Sequence, residues 1–152
     1  MFEVPYFDKV AYLTQSWQLY AEAAMPALER LYTIAPSFRA EESRTRRHLT
    51  EFWHAEMEMA WATNDEIMAH GEGVVRHIAQ TLLDEREEEL TFLGRDLDKL
   101  ARYADSPYPR MRYDEAVEIL QGKSVEVEWG EDLDYTKEKI LTQDFDVPHF
   151  LT

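Results

Sequence analysis

The chain has 152 residues, with 16 Lys and Arg against 31 Asp and Glu, and a formal net charge of −15. Hydrophobic residues make up 45% and charged residues 31%, the composition of a folded globular chain rather than a disordered one. The absence of cysteine excludes disulfide scaffolds, thiolate metal sites and cysteine nucleophiles, and the acidic balance argues against a dedicated nucleic-acid module.

The length suits one domain. No apolar run approaches the roughly 20 residues that span a bilayer. The opening Met-Phe-Glu-Val-Pro-Tyr lacks the basic and apolar regions of a signal peptide. A soluble, cytoplasmic protein with no membrane partner is expected. The charge is uneven: residues 1–62 hold 9 acids and 6 bases, residues 63–152 hold 22 acids and 10 bases. Arg39, Arg44, Arg46 and Arg47 fall within nine positions and are followed by His48, which marks a place where an anion could be held.

In chain order, residues 2–6 and 10–13 read as two short strands around Asp8-Lys9. Residues 18–29, rich in Ala, Leu and Glu, read as a helix, which Pro26 should kink or shorten. Residues 30–39 alternate as a strand. Leu31, Thr33, Ala35, Ser37 and Arg39 share a small, polar face with room for a ligand, unless it is simply the solvated side of a half-buried strand. Residues 40–50 are a polar turn. Residues 51–61 alternate again, with Trp53, Ala55, Met57, Met59 and Trp61 on an apolar face and Phe52, His54, Glu56 and Glu58 on a polar one. The two strands predict an antiparallel hairpin with a long, arginine-rich loop.

Residues 64–103 are predicted helical. Asn64 or Asp65 caps the start. Ile67, Val74, Val75, Ile78, Leu82 and Leu83 form an apolar stripe, continued by Leu90, Leu93, Leu97 and Leu100. The run Asp84–Glu89 faces solvent, and Gly94 divides the segment into two helices. After the loop 106–109, residues 110–113 form a short strand, 114–121 a helix ended by Gly122, 125–129 a strand, 135–141 a helix, and 148–151 the start of a strand. This is an α+β pattern, an antiparallel β-sheet flanked by helices.

Several constellations are weak on their own. Glu51 and His54 match a single Glu-x-x-His, which di-iron sites use in two copies and on helices. Glu56 and Glu58 share a strand face, as a polar surface or part of a hydrogen-bond network, rather than facing each other across a substrate. His70 and His77 read as ordinary surface or core histidines. No metal site is assigned. The five glycines fall in no phosphate-loop spacing, so a phosphate would have to be held by side chains, for which the planar fork of arginine is suited.

The run Phe38-Arg-Ala-Glu41, Ser43-Arg-Thr-Arg-Arg-His-Leu-Thr-Glu-Phe-Trp53, then Glu56 and Glu58, resembles motif 2 of the class II aminoacyl-tRNA synthetases. It is most similar to the aspartyl/asparaginyl subgroup, in particular to archaeal-type asparaginyl-tRNA synthetases. Residues 11–20 resemble that subgroup's amino-acid-binding segment; Arg112–Ala116, Val127–Gly130 and Pro148 also fit. The resemblance implies ATP-dependent activation of asparagine to an adenylate and transfer to the terminal ribose of tRNA. It implies a ligase with ATP and Mg2+, and with asparagine and the tRNA acceptor end as partners.

Carried over residue by residue, the resemblance gives Arg39 the catalytic role of holding the α-phosphate and the substrate carboxylate. Glu41 contacts ATP near the adenine amino group, Arg47, His48 and Leu49 line the triphosphate, and Phe52 stacks on adenine. Arg44 and Arg46 reach toward the acceptor end of tRNA. Ser16 and Gln18 sit in the amino-acid pocket with Glu22. Aspartyl enzymes carry a lysine just after the Gln-Leu-aromatic step; here Gln18-Leu-Tyr is followed by Ala21-Glu22. A glutamate accepts from an amide and repels a carboxylate, which favours asparagine over aspartate.

The resemblance identifies no motif 1, no motif 3 with its second ATP-binding arginine and nearby metal-binding acid, and no anticodon-binding domain within these residues. The expected layout is therefore a partial, class II catalytic-domain-like fold over 1–152. It comprises the motif 2 hairpin at about 30–62, a helical segment at about 64–103 and an α/β segment at about 108–152. A homodimer is implied for the complete enzyme. Two other readings stay open: a synthetase paralogue that amidates free aspartate, and a non-catalytic module that binds ATP or a partner.

Overall fold

Lys9–Tyr12 (β2) turns back on Glu3–Tyr6 (β1) in an antiparallel pair, with Phe7 in the left-handed region at φ 53. The computed structural model describes residues 1–41 and 48–152. The chain divides into two compact units, Met1–Thr63 and Asn64–Thr152.

In the first unit, helix α1 (Gln18–Leu28) runs through Pro26 and stops two residues beyond it. Proline removes one helical N–H and its ring crowds the carbonyl four residues back, and the helix ends within a turn of it. Glu29, at φ 56, closes the helix with its N–H on the Met25 carbonyl at 2.8 Å. The chain then enters β3 (Arg30–Phe38), which pairs antiparallel with β4 (Glu51–Met59) over nine residues. The register sets Thr33 opposite Glu56, Ala35 opposite His54 and Ser37 opposite Phe52. The strand ends at Met59, two residues earlier than the alternation suggested, because Trp61 takes φ 64 and leaves the ladder.

The two faces of this hairpin reverse the usual burial of polar and apolar sides. Tyr32, Ile34 and Trp53 on the apolar face are exposed, Trp53 by 74%. The small, polar face is the covered one, and Ser37 on it is only 1% exposed. The segment leading into α1 crosses that side: the Phe38 N–H donates to the Thr14 carbonyl at 2.8 Å, and the Ser16 hydroxyl donates to Glu56. A freely solvated polar face is therefore ruled out for β3.

The second unit opens with three helices rather than two: α2 (Asn64–Glu85), α3 (Glu87–Phe92) and α4 (Leu97–Asp105). Gly94, at φ 65, makes one break as expected; Arg86, at φ −135, makes the other. Asp96 caps α4 by accepting the Lys99 N–H at 2.9 Å. The acidic run 84–89 is exposed. The predicted stripe on α2 is only partly core: Met68 and Ala79 are buried, whereas Ile67, Val74, Val75 and Ile78 stay accessible.

Beyond α4, β5 (Arg110–Met111) pairs with β6 (Phe150–Leu151) in parallel, so this small sheet departs from the antiparallel expectation. Between them lie α5 (Tyr113–Gly122) and α6 (Tyr135–Thr142). Met111, Ala116, Val117, Leu120, Val127 and Leu141 form one buried cluster. Residues 125–129, expected as a strand, are irregular. Their alternation is satisfied by packing: Val127 enters the cluster, the Val125 N–H returns to the Leu120 carbonyl at 3.0 Å, and the Trp129 indole donates to Asp114 at 2.8 Å. Gly122 is the last residue of α5, and it is Ser124, at φ 61, that turns the chain.

Candidate active site

The candidate site lies at the loop end of β3 and β4. The Arg39 N–H bonds to the Thr50 carbonyl at 3.0 Å, extending the pairing one step past Phe38. This holds the arginine beside the root of the loop. Its guanidinium carbon lies 5.5 Å from the centre of the Phe52 ring, within cation–π range. Phe52 in turn meets the His54 ring at 5.3 Å between centres. Arg39, Glu41, His48, Leu49, Phe52 and His54 together line a cleft of about 360 Å³. A cation, an aromatic face and a carboxylate in one cleft match the needs of a nucleotide: phosphate, base plane and exocyclic amine.

Five residues predicted for ATP therefore converge: Arg39, Glu41, His48, Leu49 and Phe52. Arg47, predicted to join them, and Arg44 and Arg46, predicted for tRNA, lie outside the described residues.

The residues predicted for the amino acid form a second, continuous group. The Ser16 hydroxyl donates to Glu56 Oε1, and Ser16 Oγ accepts the Gln18 N–H at 3.1 Å. Gln18 Nε2 donates to Glu22 Oε1 at 2.9 Å, one helical turn further along α1. Glu22 also borders a separate groove of about 590 Å³ with Met25, Pro26, Glu29, Met59, Ala60 and Trp61. Arg39, assigned to both groups, is placed in the cleft.

Sequence reasoning left Ser37, His54 and Glu56 without a named role, and these join the two groups. His54 Nδ1 lies 3.1 Å from Ser37 Oγ and 3.3 Å from Glu56 Oε2. Glu56 also accepts the Trp17 N–H at 3.4 Å. The polar alternation of β3 for Ser37, and of β4 for His54 and Glu56, was the signal that could have found them. Glu51 and His54, three apart on a strand, point to opposite faces, so the Glu-x-x-His spacing makes no metal pair. Among the described residues no three acids or histidines are grouped to hold a metal ion, and no step is assigned to one. His70 and His77 are exposed.

The chain thus carries this cleft on a nine-residue antiparallel hairpin within a mixed helix–strand fold. The profile described as tRNA synthetases class II (D, K and N) matches residues 1–152, and the chain belongs to that family. Over 151 residues it is 51% identical to the asparagine–tRNA ligase of Pyrococcus abyssi and 50% identical to that of Thermococcus gammatolerans, covering 99% of this chain and 35% of each relative. Its fold superposes on asparaginyl-tRNA synthetase from Pyrococcus horikoshii, solved with asparaginyl-adenylate, at a TM-score of 0.92 and 51% identity, over 99% of this chain and 34% of that one. The chain thus spans about a third of the length of the relatives it matches. No helix among the described residues is long and apolar enough to cross a membrane.

Proposed function

We propose that this chain forms the central, motif 2-bearing part of the catalytic domain of an asparagine–tRNA ligase. In this reading the asparagine carboxylate attacks the α-phosphorus of ATP. A C–O–P bond forms, pyrophosphate leaves, and the adenylate then passes its asparaginyl group to the terminal ribose of tRNA. Arg39 meets the charge that builds on the α-phosphate and steers the carboxylate toward it. Phe52 offers its face to adenine, Glu41 accepts from the adenine amine, and His48 and Leu49 line the triphosphate with Arg47. Arg44 and Arg46 approach the acceptor end of tRNA.

The observation that carries the reading is the convergence of Arg39, Glu41, His48, Leu49 and Phe52 in one cleft, joined through His54 and Glu56 to Ser16 and Gln18. Glu22 supports asparagine as the substrate, since a carboxylate held by Gln18 accepts from an amide and repels a second carboxylate. The segments equivalent to motif 1, motif 3 and the anticodon-binding domain belong, in this reading, to a longer protein that works as a cytoplasmic homodimer with Mg2+.

The test is ATP–pyrophosphate exchange by the longest natural protein that carries residues 1–152, with asparagine and aspartate compared. Exchange with asparagine alone is expected. Exchange with aspartate alone, or with neither, overturns the proposal.

A further inference from the structure

The two halves of the cleft meet at His54, to which the motif 2 resemblance assigns no task. Its Nδ1 faces two oxygens at once, Ser37 Oγ at 3.1 Å and Glu56 Oε2 at 3.3 Å. A carboxylate only accepts, so the nitrogen facing it carries the hydrogen; this tautomer is assigned from the partners. Of the two, Glu56 keeps other donors, the Ser16 hydroxyl and the Trp17 N–H, while Ser37 depends on His54. Ser37 is 1% exposed, and the Glu56 side chain is 10% exposed. A buried polar group that loses its partner bears the full cost of desolvation.

Glu56 is a shared acceptor. Beyond His54 it takes the Ser16 hydroxyl and the Trp17 N–H, and Ser16 Oγ in turn takes the Gln18 N–H at the start of α1. A rotation of the Glu56 carboxylate would therefore move the residues at the amino-acid end. The His54 ring itself borders the nucleotide end, beside Phe52 and within the cleft that Arg39 lines.

We propose that His54 is a positioning residue for substrate selection: its Nδ1–H, backed by Ser37, locks the orientation of Glu56 and so presets Ser16 and Gln18 for the amino acid. The role rests on the asparagine-activating reading above. It predicts a split effect, on the amino acid rather than on ATP, because the ring's own contribution to the cleft is one wall among six residues.

Two substitutions separate this role from bulk or stability. His54→Asn keeps an amide N–H near the place of Nδ1, whereas His54→Gln carries its amide one carbon further, away from Glu56. The longest natural protein carrying the chain is assayed by ATP–pyrophosphate exchange, with thermal melts of each variant alongside. His54→Gln is expected to raise KM for asparagine roughly 10- to 100-fold, the scale of losing a close polar contact to a buried charged group, and to raise KM for ATP far less. His54→Asn is expected to recover most of that loss at an unchanged melting temperature. Equal effects of the two variants, or parallel rises in both KM values, overturn the role. No asparagine-dependent exchange by the unsubstituted protein overturns the activation reading itself, and the role falls with it.

Discussion

Gln18 and Glu22 are bonded side chain to side chain along α1, Nε2 to Oε1 at 2.9 Å. This i,i+4 pair turns a carboxylate on an exposed helix face into an oriented acceptor. By the resemblance drawn above, aspartyl enzymes carry a cation one position earlier, where this chain has Ala21. Under the proposed function, selectivity for asparagine would rest on Glu22, whose orientation Gln18 holds.

Glu22→Lys is expected to lower kcat/KM for asparagine by about 100-fold or more and to raise the ratio of aspartate to asparagine activation. The lysine removes the amide acceptor and adds an attraction for a carboxylate. Exchange kinetics with both amino acids measure this. An unchanged ratio removes Glu22 from the pocket.

Arg39→Ala is expected to reduce asparagine-dependent exchange by about 10²- to 10³-fold, mainly in kcat, the scale of losing one donor to developing charge. Arg39→Lys recovers little of it, because an ammonium cannot replace the planar fork at a phosphate and a carboxylate together. The residue lies exposed beyond the end of β3, so the unfolding free energy is expected to stay within about 0.5 kcal/mol of the starting value.

In the second unit, Leu120 is fully buried at the centre of the α5 cluster. Leu120→Ala leaves a cavity among Met111, Val117, Val127 and Leu141 and is expected to cost about 2–5 kcal/mol. Leu93→Ala, at an exposed position, is expected to change stability by about 0.5 kcal/mol or less. Urea unfolding of the two variants gives the contrast directly.

Asp134 caps α6, and its carboxyl is held below the ordinary value of 3.8, first by the Lys137 N–H it accepts and also by the Thr136 N–H. A depressed acid stabilises the fold above its unfolded pKa, and that contribution fades as pH falls through the lower folded value. Stability should therefore decline on acidification through and below pH 3.8. Asp134→Asn keeps an acceptor for the cap and should flatten the part of the decline that this residue causes. Urea midpoints at a series of acidic pH values test this.

The alternation of residues 30–38 and 51–59, the proline, glycine and acidic signals around α1 to α4, and the long run from Phe38 to Glu58 were legible in the sequence. They depend on local backbone preference and on side-chain spacing, which the order of residues determines by itself. The same spacing supplied the two faces of the hairpin but not which one would be covered. That was decided by the Thr14–Trp17 segment, which crosses the polar face and pins it through Phe38 and Glu56. Residues 125–129 failed as a strand for a related reason: a two-residue repeat is satisfied equally by a ladder or by alternate side chains entering a cluster, and here Val127 enters the α5 cluster.

By itself, then, the sequence determined the family and the β3–β4 hairpin, because the run from Phe38 to Glu58 carries them in one contiguous stretch. Only the tertiary structure decided that His54 joins Ser37 to Glu56 and Glu56 joins β4 to Ser16. The Ser37–His54 and Ser16–Glu56 bonds span 17 and 40 residues of chain and depend on strand register and on where a loop crosses a sheet, neither of which any local pattern contains.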